Sequence, residues 1–151
     1  MNTFKQFLAE SEEKDDVKKL ISKLPKSHQK LLNGFKFKFT NKHTLPKDSE
    51  HVGVIYQDKI TVASPWNYSR SFVVLHEIGH LIFEYKMTKE LKKEWSELVK
   101  KYKKDLPKND ALNQNNEEIF AMVYACCYAK HAVETFNHPE WIKFVKNKVP
   151  K

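Results

Sequence analysis

Residues 73–84 read VVLHEIGHLIFE, an apolar run that carries two histidines and a glutamate. Such a run buries itself in a protein core, and a carboxylate buried without a partner is costly or takes up a proton. The fold must therefore bring partners to His76, Glu77 and His80. Val73, Val74, Leu75, Ile78, Leu81, Ile82 and Phe83 surround the triplet, so it belongs to a core helix, predicted from about Ser69 to Tyr85. Gly79 weakens that helix by about 0.8–1.0 kcal/mol relative to alanine. Close approach of another backbone, or of a substrate, would compensate.

The spacing of the polar residues suggests chemistry. Residues four apart share a helix face and lie about 6 Å apart along the axis. Two imidazoles so placed can converge on one metal ion, with zinc–nitrogen bonds of about 2.0–2.1 Å. Glu77 is next to the first of them, angled toward a water on the metal rather than toward the metal itself. Each letter of this H-E-x-x-H pattern has a job: the ion lowers the pKa of its water toward about 7, and Glu77 accepts the proton as general base. The resulting hydroxide attacks a polarised carbonyl.

A catalytic zinc has three protein ligands and one open position. Glu84 shares a face with both histidines but stands about 12 Å along the axis from His76, too far to join the same ion. Glu117 and Glu118 open the segment EEIFAMVYACCYAK. One acid at a helix start complements the helix dipole. The other can reach a metal, because the following residues, Ile119 to Val123, enter the core at once. The small Ala121 and Ala125 let this helix approach the histidine helix. Glu118 is the favoured third ligand, with Glu117 as the alternative. His131, His138, Cys126 and Cys127 compete; His138, just before Pro139, reads as a turn or cap, and the cysteines read as small hydrophobes in an apolar helix.

Around this core the remaining pattern predicts an α+β chain. Val17, Leu20, Ile21 and Leu24 have helical spacing within Glu12 to Leu24, and SHQKLLNG reads as a short helix ending at Gly34. FKFKF alternates as a half-buried strand, and HVGVIY with ITVAS reads as a hairpin rich in β-branched residues. Leu91, Trp95, Leu98, Val99 and Tyr102 line one side of a further helix. DLPKNDALNQNN is a loop, and HPEWIKFVKNKV a short amphipathic helix. The expected architecture is a small β-sheet packed against the active-site helix and the glutamate-bearing helix. It forms one domain over residues 1–151, with a helical segment at 1–34 and a catalytic core at 35–151.

Composition narrows the function classes. The formal net charge is +8 from 27 lysines and arginines against 19 acids, yet Arg70 is the only arginine. Arginine makes the bidentate contacts of base readout, so specific nucleic-acid recognition is not expected. The adjacent pair Cys126 and Cys127 has poor geometry for a disulfide, which fits a reducing compartment. MNTFKQFLAESEEKDD has no apolar leader, and no run reaches the roughly 18 apolar residues of a membrane span. These features predict a cytoplasmic protein with no membrane partner.

HEIGH at 76–80 and EEIFAMVYA at 117–125 together resemble the gluzincin group of zinc metallopeptidases, in particular the small catalytic domains of the anthrax lethal factor and Pro-Pro endopeptidase type. The resemblance covers roughly residues 52–148. It implies a zincin-like domain and a zinc-dependent endopeptidase acting on a protein or peptide. It also implies one zinc ion held by His76, His80 and Glu118, with Glu77 catalytic. The compact form also resembles metallopeptidase-like proteins of bacteriophage and bacterial genomes, which makes delivery by a phage particle conceivable. The family's tyrosine seven residues before the ligand glutamate is Ala111 here, and its second acid four residues after is Met122. Tyr56, Tyr68, Tyr102, Tyr124 and His131 are the conceivable replacements for the oxyanion-steadying tyrosine. A zinc-binding interaction module of weak or no activity is the alternative. ITVAS, as a sheet edge beside the helix, would pair with an extended substrate, and the loop from Pro65 to Tyr68 would lie near the entrance.

Overall fold

The computed structural model describes residues 17–33, 36–40, 53–56, 59–63, 70–106, 115–129 and 136–151; the side chains of the strand residues and of Arg70 are not among what it describes. The elements are α1 (17–22), α2 (Lys26–Leu31), β1 (Lys36–Thr40), β2 (Gly53–Tyr56), β3 (Lys59–Ala63), α3 (Arg70–Lys86), α4 (Lys89–Lys103), α5 (Asn116–Tyr128) and α6 (Pro139–Asn147). Contacts cluster in two units, residues 1–74 and 75–151.

In the first unit Pro25 precedes α2, as its missing N–H permits. The Gln29 side chain donates to the carbonyls of Leu24 at 2.7 Å and Ser22 at 3.2 Å, tying the corner between α1 and α2. Val17, Leu24, Leu32 and His28 are buried. The three strands form one sheet in the order β1-β3-β2. The hairpin is present: β2 and β3 are antiparallel, with Gly53 opposite Val62 and Tyr56 opposite Lys59. β1 runs parallel to β3, Phe37 opposite Ile60 and Phe39 opposite Val62.

That order corrects one expectation. The ITVAS strand is central, with β1 on one edge and β2 on the other, so its backbone donors and acceptors face neighbours on both sides. It offers no free edge to a substrate.

The α+β architecture is corrected as well. Of the residues whose side chains are described, 79% are helical and none lies in a strand. Within the second unit the packing among the described residues is helix on helix. In the second unit α5 packs against α4 and α6, and α4 against α6. Trp95 of α4 is the hub. It is fully buried, edge-on to Phe120 of α5 at 5.4 Å, with Trp141 and Phe144 of α6 at 6.1 and 5.3 Å. The physical reason is that α5 is apolar on every side from Ile119 to Cys126, all of it buried. A helix without a polar face must be covered all round, and among the described residues α4 and α6 help to cover it. Among the described residues no helix is long and apolar enough to cross a membrane.

Candidate metal centre

α3 carries His76 and His80 one turn apart, with Glu77 directly after the first and buried at 7% exposure. What brings α5 to them is Gly79. A Cβ there would stand 2.8 Å from Ala121 Cα, 3.1 Å from the Ala121 carbonyl oxygen and 3.1 Å from Tyr124 Cβ. Real side chains do not approach a backbone so closely, so the glycine and the small alanine together permit the crossing. The compensation expected for Gly79 is thus a neighbouring backbone.

At the start of α5 the Asn115 side chain caps the helix, its oxygen accepting from the Glu118 N–H at 2.9 Å. One turn of α5 before Met122, Glu118 points at both imidazoles. Its Oε1 is 3.0 Å from His80 Nε2, and its Oε2 is 3.3 Å from His76 Nε2. The two Nε2 atoms are 3.2 Å apart, the rings set edge to face at 85°. Four ligands at zinc's usual bond lengths, arranged tetrahedrally, stand about 3.3 Å from one another. The two ring nitrogens stand at that spacing, each with a different oxygen of the one carboxylate near it, and a ligand atom from each of the three residues lies within 4.8 Å of the other two. Two ring nitrogens with one proton at most apiece cannot satisfy each other and a shared carboxylate in every pairing. A cation among them would.

Without a metal, the charges of the cluster hold one another in place. Burial disfavours the charged His80 ring, but the hydrogen bond and charge of Glu118, with Glu77 and Glu117 behind, outweigh it and raise its pKa. Burial also works against the Glu118 carboxylate, and the two histidines overcome that, holding it far below the usual carboxylate range. His76 Nδ1 is buried with no hydrogen-bond partner among the described residues.

His76, His80 and Glu118 are the one group of this kind found among the described residues. Glu84, placed outside the site by its distance along α3, is exposed to solvent. His138 caps α6, its Nδ1 accepting from the Glu140 N–H at 3.3 Å, as its place before a proline suggests. Cys126 and Cys127 are free thiols, and burial pushes Cys127 up to about 12. Of the tyrosines weighed as oxyanion donors, Tyr102 packs on His138 at 4.7 Å, and Tyr124 is fully buried with Tyr128 at 4.9 Å. The Tyr56 side chain, Tyr68, His131, Ala111 and the Pro65 to Tyr68 loop lie outside the described residues.

Glu117, the alternative ligand in the sequence, also comes close to His80. Glu117 Oε1 lies 3.7 Å from His80 Nδ1, so adjacent carboxylates face the two nitrogens of one ring. The paired acids were visible in the sequence, but dipole complementarity accounted for one of them equally well.

Compared with protein-family models, curated proteins and solved structures, the chain has no match in any of the three.

Proposed function

We propose that this protein is a zinc-dependent endopeptidase in which His76, His80 and Glu118 hold the ion and Glu77 is the general base. One observation carries the reading: two imidazole nitrogens and one carboxylate converge at 3.0, 3.2 and 3.3 Å beside a buried glutamate. The H-E-x-x-H order supplies the assignment of roles. Zinc in such a set acts as a Lewis acid on a carbonyl and makes water a usable nucleophile near neutral pH. Glu77 accepts the proton of the attacking water on its carboxylate and returns it to the leaving amine. Glu118 and Glu117 keep negative charge around His80, which offsets the positive charge of a divalent ion. The resemblance to gluzincins over HEIGH and EEIFAMVYA points to peptide bonds as the substrate class.

A second reading, a zinc-binding interaction module without turnover, is favoured by one feature. The position of the family's oxyanion tyrosine is Ala111, and Tyr102 and Tyr124 are engaged in packing. Losing one oxyanion donor costs on the order of 10²–10³ in rate. Native mass spectrometry for metal content, with cleavage profiling on a peptide library, separates the two. The peptidase reading expects Glu77→Gln to keep its zinc and lose about 10²–10⁴-fold in cleavage. Zinc uptake with no cleavage by either form would leave the interaction module standing.

A further inference from the structure

Glu118 sits in the first turn of α5, where backbone N–H groups lack intrahelical partners and a helix frays most readily. A ligand in that position needs the helix start held from outside. Two consecutive residues of α4 do so. The Trp95 indole N–H donates to the Asn116 carbonyl at 2.8 Å, and the Asn116 side-chain amide donates to Ser96 Oγ at 3.0 Å. Trp95 also lies edge-on to Phe120 at 5.4 Å. One side chain thus grips α5 two residues before Glu118 by a hydrogen bond and two residues after it by ring packing.

We propose that Trp95 is a positioning residue for the metal centre, setting the reach of the Glu118 carboxylate toward His76 and His80 through Asn116. This rests on the metal-binding reading of the site. Trp141 provides the internal comparison. It is equally buried, shares the aromatic cluster at 6.1 Å from Trp95, and donates its indole N–H to the Leu98 carbonyl at 3.3 Å. That bond joins α6 to α4 and does not involve α5. Any effect of cavity or lost donor on general stability should be shared by the two tryptophans. An effect on the carboxylate should belong to Trp95.

The test uses the full chain, with cobalt(II) and zinc as probes. Affinity is measured by chelator competition, coordination by the visible spectrum of bound cobalt, and stability by thermal unfolding without metal. Trp95→Phe is expected to weaken both metals by about 10-fold and to change the cobalt spectrum. Trp141→Phe, with a similar loss of Tm, should hold affinity within about 2-fold and leave the spectrum unchanged. Should Trp95→Phe not fold, a tryptophan analogue at position 95 with sulfur in place of the ring N–H removes the donor while preserving shape. Equal effects of the two tryptophan changes would overturn the positioning role while leaving the metal reading intact. A wild-type chain that takes up neither metal would overturn both.

Discussion

Gly79 on α3 and Ala121 on α5 meet backbone to backbone, with room for no Cβ on the glycine: it would lie 2.8 Å from Ala121 Cα. This contact decides whether Glu118 can reach the histidines. Gly79→Ala gains about 1 kcal/mol in helix propensity, but the obstructing atoms are main chain and cannot swing aside. Overpacking of this kind costs about 1–3 kcal/mol. The expected outcome is a net loss of stability in urea unfolding and weaker zinc binding, as α5 is pushed from α3. A more stable variant with undiminished affinity would show that the crossing is looser than described.

Removing the carboxylate itself should act differently. Glu118→Ala leaves the helix crossing untouched and takes away one of three donors. Zinc content measured after dialysis should fall to background, as it should for His76→Ala and His80→Ala. Stability without metal should change far less than for a core truncation such as Trp95→Ala, where about 3–5 kcal/mol is typical.

The pH dependence has opposite signs with and without metal. His80 is raised from 6.5 in the folded chain, so its contribution to stability is complete below about 6.5 and lost as pH rises through the raised value. Glu118 is lowered from 4.5, so its contribution is complete above about 4.5 and lost as pH falls toward the depressed value. The metal-free protein should therefore draw most from this pair between about pH 4.5 and 6.5. On the proposed reading zinc would have to displace the His80 proton, so its affinity, and the rise in Tm on adding it, should grow from about pH 5.5 to pH 8. A zinc-induced rise in Tm that shrank over that range would contradict the ligand role of His80.

Glu117 is the subtler case. At 3.7 Å from His80 Nδ1 and 42% side-chain exposure, it contributes charge and ring orientation more than burial. Glu117→Gln should lower zinc affinity by about 10-fold with almost no change in unfolding. Affinity equal to wild type would reduce Glu117 to a helix-start acid of the ordinary kind.

Much of the site could be read from the chain because each of its parts breaks a local rule. Charged and polar residues inside VVLHEIGHLIFE demand partners, and an acid pair directly ahead of IFAMV is drawn toward the core with it. Gly79 could be recognised as a contact point for the same reason. The sheet was less legible. Alternation in FKFKF reports that one face is buried but not which strand lies alongside, so neither the parallel β1–β3 pairing nor the central place of ITVAS could be read from it. The helical layering escaped because a short all-apolar run such as IFAMVYAC does not say whether strands or helices surround it. Trp95 looked like one more member of an apolar stripe, since nothing in its spacing marks where an indole N–H will find its acceptor.

His76 and His80 belong to the same helix, so the distance between them is set by the pitch of one stretch of backbone. Glu118 alone arrives from elsewhere. The centre therefore has one rigid jaw and one movable one, and anything that slides or tilts α5 changes its aperture. How firmly an ion would be gripped there should consequently be tuned by residues that never touch it, along the seam where the two helices cross.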